Sequence, residues 1–248
     1  MDTIRDMIAA QRAELAEVLA GLPGPSWDEP TLCAGWRVRE VVAHITMPFR
    51  YSRGRFALEL AKSRGRFNEM ADRVARRDAA AMPAADLTAA VKSNTGHPWK
   101  PPGGGFTGAL AHDLIHGLDI TVPLGLAKPI PEERLRLVLP GSLADRSVKF
   151  FGVDLDGIEL RAQDMDWTLG SGTPLTGAAA DLLLVLCGRT LPAGRLAGQP
   201  GARFTRARSV GYGAARERAV TSQFGRGAAR NRRRSWNRPR SCSIAAAR

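Results

Sequence analysis

The chain has 248 residues, of which 44% are hydrophobic, so it is long enough for one large domain or two small ones with a packed core. Its formal net charge of +12 would suit an anionic partner such as a nucleic acid. The excess charge lies at the C-terminus, where residues 197–248 hold 13 arginines and one acidic residue, so residues 1–196 are neutral and require no such partner.

The cysteines and the apolar segments predict a cytoplasmic protein. Cys33, Cys187 and Cys242 are odd in number and widely spaced, which favours a reducing compartment without a disulfide framework. The N-terminus carries acids and lacks the long apolar core of a signal peptide. The longest apolar run, residues 182–187, is far shorter than the roughly 18–20 residues that cross a membrane.

Residues 1–126 are predicted to form a helical domain. Apolar residues recur with helical period in several segments. These segments are residues 2–21, 36–45, 48–80, 83–94 and 105–122. The third is expected to form one long helix or two shorter ones, Asp86 is the expected N-cap of the fourth, and Pro123 should end the last. About four helices of this kind predict a four-helix bundle.

Residues 127–208 are predicted to form a small α/β domain, with a boundary between Pro123 and Pro131. The segment PIPEERLRLVLPGSLADRS has a helical pattern. The segments GIELRAQD and MDWTLGSG predict two strands around a turn, and TGAAADLLLVLCGRT predicts a buried helix that ends at Gly188.

Residues 209–248 are predicted to form a disordered, arginine-rich tail, because they have no hydrophobic period and little apolar surface to bury. A tail of this composition could bind nucleic acid or another anionic surface. We favour a tail without a function of its own, since its abrupt change of composition also suits a frameshifted or run-on terminus.

Two histidines lie four residues apart in the apolar segment GALAHDLIHGLDI. His112 and His116 project from the same helix face, where two imidazoles can chelate one metal ion. Asp119 lies three residues further on and could support His116 or be a ligand itself. His44, on another predicted core-facing helix, is the best candidate for a third ligand. Buried histidines hydrogen-bonded within a core remain the alternative, and His97 belongs either to the surface or to the rim of a pocket.

The segment from Trp27 to His44, W-x-x-P-T-L-C-A-G-W-x-V-R-E-V-V-A-H, resembles the N-terminal signature of the mycothiol-dependent maleylpyruvate isomerase family. GALAHDLIHGLDI is similar to the later metal-binding helix of that family, and TGAAADLLLVLCGR to its C-terminal domain. The resemblance covers roughly residues 1–208. It implies an α+β, mainly α fold, with a DinB-like four-helix bundle followed by a small sterol-carrier-like α/β domain.

The resemblance also implies a divalent metal, usually zinc, held by His44, His112 and His116. Many family members have glutamate in place of His112. A site of three neutral histidines would also suit nickel or ferrous iron. The implied mechanism uses mycothiol as co-substrate, bound to the metal as a thiolate that adds to a small electrophilic substrate.

Arg189 is the candidate for binding a substrate carboxylate, and its alternative role is to cap the carbonyl groups at the end of the preceding helix. The resemblance therefore predicts an isomerase or thiol transferase that acts on small molecules without a membrane partner. Two other functions stay open. One is a metal-binding bundle without catalytic activity, and the other is a nucleic-acid-binding protein that acts through its tail. The sequence does not predict an oligomeric state.

Overall fold

The computed structural model describes residues 3–139, 148–149 and 151–206. Its first part is helical. The helices are α1 (Ile4–Ala20), α2 (Val38–Arg50), α3 (Arg53–Lys62), α4 (Phe67–Ala81), α5 (Ala84–Lys92) and α6 (Gly105–Leu124), with a short 3₁₀ helix at Gly24–Asp28. The predicted helical segments are confirmed, and the long third segment forms the two helices α3 and α4.

Four of these helices enclose the interior of a bundle. Helix α1 packs against α5 and α6, and α2 packs against the same two helices from the other side. The interior is filled by aliphatic and aromatic side chains, among them Leu15, Val41, Leu87 and Ile120. Helix α4 packs against α2, and α3 packs against α4.

Two predicted helix boundaries were wrong. Pro83, not Asp86, is the N-cap of α5, and Asp86 lies in the first turn, where a carboxylate favours the positive end of the helix dipole. Helix α6 continues through Pro123 to Leu124, because the φ angle that the proline ring fixes is compatible with a helix. The helix ends at Gly125, whose φ of 73° is the left-handed conformation that glycine adopts without strain.

The second part contains a short helix α7 (Glu132–Val138) and a small mixed sheet. Its elements are β1 (Ile158–Ala162), β2 (Thr168–Gly170), β3 (Thr173–Gly177), α8 (Ala179–Leu186), β4 (Leu191–Pro192), β5 (Leu196–Ala197), α9 (Gly201–Phe204) and β6 (Thr205–Arg206). The strand order is β2-β1-β3-β5, with β1 and β3 parallel and the other two pairings antiparallel. Strands β4 and β6 form a separate parallel pair.

The predicted pair of strands and the buried helix after them are confirmed, so the α+β, mainly α fold class is correct. Residues 173–177 were missed as a strand, because only Leu175 and Gly177 of the five are buried and the segment lacks a clear alternation. One hydrophobic cluster continues from α6 into the sheet and α8. The domain boundary after residue 126 stays a prediction, and residues 209–248 lie outside the described residues.

Within the described residues, no helix combines the length and the apolar composition needed to cross a lipid bilayer.

Candidate metal centre

Three buried histidines meet where α2 and α6 face each other inside the bundle. His44 lies in the middle of α2, and His112 and His116 lie on adjacent turns of α6. The three residues expose 3%, 3% and 0% of their surface. The structure therefore brings together the three histidines that the sequence singled out.

The histidine rings are close enough to share a small ion. Nε2 of His112 lies 3.4 Å from Nε2 of His44, and each of the three residues offers a ligand atom within 4.8 Å of the others. Two nitrogens bonded to one zinc ion at tetrahedral angles lie roughly 3.3–3.4 Å apart, given Zn–N bonds of about 2.0–2.1 Å. The distance between His44 and His112 fits this geometry.

In each histidine of α6, Nδ1 faces a carboxylate oxygen. Nδ1 of His112 lies 3.1 Å from Oδ1 of Asp113, and Nδ1 of His116 lies 2.9 Å from Oδ2 of Asp119. An ionised carboxylate only accepts hydrogen bonds, so both Nδ1 atoms carry the proton. The Nε2 atoms of these two histidines are then unprotonated, with lone pairs free to bind a cation.

One of these lone pairs, on Nε2 of His116, receives no hydrogen bond from the described residues. This nitrogen is buried. A buried acceptor without a partner is costly, whereas a cation would satisfy it. The donor set and this orphaned nitrogen therefore fit a divalent metal.

Burial keeps the imidazoles of His44 and His116 neutral. Desolvation lowers the pKa of His116 to about 4, although its hydrogen bond to Asp119 acts in the opposite direction. The pKa of His44 falls well below its usual value, first through burial and then through repulsion by His116 and His112. At neutral pH both rings are in the form that binds metals.

Asp119 is buried on one side of the site and paired with Arg189. Nε and Nη2 of Arg189 donate to the two oxygens of Asp119 at 2.8 and 2.9 Å. Burial alone would raise the pKa of Asp119, but the Arg189 charge and the contact with His116 hold it below its usual value. Asp119 is therefore an ionised support for His116.

Arg189, the partner of Asp119, is itself buried. The residue is 5% exposed, and its Nη1 donates to the carbonyl oxygen of Cys187, as expected for the helix-capping role. Its other described hydrogen bonds go to Asp119 and to Sγ of Cys33. The predicted contact with a substrate carboxylate is tested by nothing in this geometry and stays a prediction.

The signature segment reaches the same site. The loop after the 3₁₀ helix is tied to α6, because the backbone N–H of Leu32 donates to the carbonyl of Asp119. Sγ of Cys33 lies 3.0 Å from Oδ2 of Asp119 and 3.8 Å from Nδ1 of His116. Cys33, His116 and Asp119 thus form a second group of potential ligands that shares His116 with the first.

His97 is apart from the three histidines. It lies in the loop between α5 and α6, where its ring faces Phe49 and its Nδ1 accepts from the backbone of Trp99. The next aromatic ring along this loop does reach the site, since Trp99 packs edge-on against His112 with 5.0 Å between ring centroids. The loop therefore lines the site through Trp99.

Two charged residues near the site were missed in the sequence. Arg12 is buried in α1 and forms an ion pair with Asp113, which contacts His112. The available signal was a charge inside an apolar stripe, since Arg12 falls between Ile8 and Leu15 on the buried face of its helix.

The comparisons with known proteins agree with the signature. Residues 8–97 match the family model of the mycothiol maleylpyruvate isomerase N-terminal domain. The predicted resemblance is confirmed over residues 8–97. His44 lies inside the matched range, and His112 and His116 lie beyond it. Comparison with curated proteins gives no significant match.

Two solved structures are similar to the chain. One is the mycothiol-dependent maleylpyruvate isomerase, with 15% identity and a TM-score of 0.44, covering 81% of this chain and 97% of that one. The other is a histidine-to-alanine mutant of that isomerase, with 16% identity, a TM-score of 0.40 and the same coverage.

Proposed function

We propose that the chain is a metal-dependent enzyme that activates a low-molecular-weight thiol for attack on a small electrophilic substrate. The observation that carries this proposal is the orphaned Nε2 of His116, which converges with His44 and His112 in a buried cluster of imidazoles. The family of residues 8–97 supports mycothiol as the thiol. The cytoplasmic location expected from the cysteine pattern stays a prediction.

His44, His112 and His116 would hold the cation. Three imidazoles are typical ligands of zinc, and nickel and ferrous iron are alternatives. Three protein ligands leave one position of a tetrahedral ion open, as in catalytic zinc sites. A cation bound there would lower the pKa of a thiol in the open position, so that the thiolate is present at neutral pH.

The surrounding residues hold the ligands and their protons in place. Asp113 and Asp119 keep the protons of His112 and His116 on Nδ1, and Arg189 keeps Asp119 ionised. Burial of the cluster excludes bulk water, which strengthens the electrostatic interactions within it.

The reaction class follows from what the thiolate does next. Its sulfur would add to one carbon of an electrophilic double bond, whose electron pair would move onto the conjugated carbonyl group. If the thiolate leaves again after rotation about the resulting single bond and the double bond re-forms, the net reaction is an isomerisation. If the carbon–sulfur bond is kept and the adjacent carbon takes up a proton, the net reaction is a thiol transfer to the substrate. We propose an enzyme of one of these two classes, and maleylpyruvate is the first substrate to test.

Metal analysis of the purified protein tests the proposal. Wild type prepared without chelator should contain about one equivalent of metal per chain, and His44→Ala and His112→Ala should lose it. His97→Ala is the matched control, because it removes a histidine outside the cluster and should keep the metal.

Turnover assays then separate the remaining functions. The proposal expects turnover of maleylpyruvate or another electrophile that depends on both metal and mycothiol. Wild type without metal would overturn the metal-dependent mechanism. Metal that stabilises the fold without turnover by any thiol would indicate a binding protein instead, and nucleic-acid binding that disappears on truncation after Arg208 would indicate a function of the tail.

A further inference from the structure

A buried ion pair lies behind His112, on the side away from the other two histidines. Nε of Arg12 donates to Oδ2 of Asp113 at 2.7 Å, and the two residues expose 2% and 5% of their surface. They come from different helices, α1 and α6. A buried pair of this kind costs desolvation energy, so its presence beside a candidate ligand calls for a local role.

The two oxygens of Asp113 are divided between two partners. Oδ2 accepts from Arg12, and Oδ1 faces Nδ1 of His112 at 3.1 Å. The guanidinium thus fixes the carboxylate, and the carboxylate fixes the proton of the imidazole. Arg189 and Asp119 repeat this order on the other side of the site, where they end at His116.

Arg12 also holds the loop that covers His112. Its Nη1 donates to the backbone carbonyls of Thr95 and His97 at 3.2 and 2.7 Å, and its guanidinium lies 4.9 Å from the ring centroid of Phe49. Two residues further along, Trp99 packs edge-on against the His112 ring. A single guanidinium therefore restrains both the carboxylate behind His112 and the loop beside it.

We propose that Arg12 and Asp113 are positioning residues that hold His112 in the Nδ1-protonated tautomer and direct its Nε2 toward the metal. This inference rests on the proposed function for the presence of a metal, whereas the tautomer of His112 is expected in the metal-free protein as well. The pair acts on His112 and touches neither the thiol nor the substrate. Its loss should weaken metal binding by about 10- to 100-fold, the usual effect of removing a carboxylate that supports a histidine ligand.

Two variants separate this role from simple stability. Asp113→Asn keeps the shape of the side chain but loses its charge and offers an N–H₂ group where His112 needs an acceptor. The double variant Arg12→Met, Asp113→Leu removes both charges, so it leaves no unpaired charge in the core and should still fold. Glu59→Gln is the control, because Glu59 is also a buried carboxylate paired with arginines but contacts no histidine.

Two measurements apply to all variants. The zinc affinity is determined by competition with a chromophoric chelator, and the tautomer of His112 in the metal-free protein is read from ¹⁵N-detected correlations of its ring nitrogens. We expect the Nδ1-protonated form in wild type and Glu59→Gln, with equal zinc affinity. In Asp113→Asn and the double variant we expect the Nε2-protonated form to appear and zinc binding to weaken.

The outcomes distinguish this inference from the function on which it rests. Zinc affinity within twofold of wild type in the folded double variant, with an unchanged tautomer, would overturn the positioning role and leave the metal site standing. A wild type that binds no zinc but keeps the Nδ1-protonated His112 would overturn the proposed function and leave the tautomer control standing.

Discussion

His44 differs from the other two histidines in what holds it. His112 and His116 each have a carboxylate on Nδ1, whereas Nδ1 of His44 is buried without a hydrogen-bond partner in the described part of the chain. The ring of His44 packs instead against Trp36, with centroids 5.1 Å apart. We infer that packing orients His44 and hydrogen bonds orient the pair on α6.

Acid should destabilise the metal-free protein well above the usual pKa of carboxylates. The pKa of His116 is lowered to about 4 in the fold, against about 6.5 in the unfolded chain, so the unfolded state binds more protons between these values. The unfolding free energy therefore has its full value above about pH 6.5 and falls as the pH is lowered toward 4. Urea unfolding of chelator-treated protein between pH 7.5 and 4.5 should show this loss, and His116→Leu should reduce it. A flat profile in wild type would contradict the neutral, buried imidazole.

Replacement of Arg189 tests whether it serves the fold or the substrate. Arg189→Met leaves the buried carboxylate of Asp119 without its cation, which should cost about 3–5 kcal/mol of unfolding free energy. The double variant Arg189→Met, Asp119→Leu should recover most of that loss. The predicted contact with a substrate carboxylate would instead raise KM while the unfolding free energy stays close to that of wild type. Denaturant unfolding and steady-state kinetics on the same samples separate the two results.

At the scale of elements, helices α3 and α4 are linked by ion pairs. Glu59 of α3 is 4% exposed and contacts Arg73 and Arg77 of α4, as well as Lys62. The hydrogen bond from Arg73 is the main cause that lowers the pKa of Glu59 to about 2, against some desolvation. The two helices are thus held together partly by an ionised carboxylate.

This contact should be sensitive to strong acid. Because the folded pKa of Glu59 is depressed, its contribution is present above the unfolded value of about 4.5 and is lost as the pH falls toward 2. The difference in unfolding free energy between wild type and Glu59→Gln should therefore be constant above about pH 5.5 and shrink below 4.5. A difference that stays constant down to pH 2.5 would show that the carboxylate is not stabilised by its charge.

The sequence was most informative where an element has its own pattern. Helical periodicity located the bundle, and the spacing of His112 and His116 on one such helix located two of the three candidate ligands. The signature segment supplied His44. The hydrogen bond from the N–H of Leu32 to the carbonyl of Asp119 could not be predicted, because it joins a loop to a helix nearly ninety residues away in the sequence.

At the scale of the whole molecule, the supports of the site come from distant parts of the chain. Arg12 and Asp113 are 101 positions apart, and Arg189 and Asp119 are 70 apart. No local pattern records such pairings, so the sequence predicted Arg189 as a functional residue without its partner and missed Arg12. A charge within an apolar helical stripe was the only trace of the Arg12 pair.

The hydrophobic core and the site are parts of one arrangement. The cluster that includes Leu114 and Leu118 of α6 continues to Leu182 and Leu184 of α8. Arg189 follows α8 and places its guanidinium on Asp119 of α6. The sheet-containing part of the chain is thereby connected to the candidate site through Asp119, which contacts His116.

X-ray absorption at the zinc edge, before and after addition of mycothiol, tests the central claim most directly. Without thiol we expect only nitrogen or oxygen neighbours at about 2.0–2.1 Å, three of them imidazoles. With mycothiol we expect one added sulfur at about 2.3 Å. Sulfur in the thiol-free sample would assign the metal to the group of Cys33, His116 and Asp119 instead, and an unchanged spectrum after addition of mycothiol would contradict the activation of a thiol at this metal.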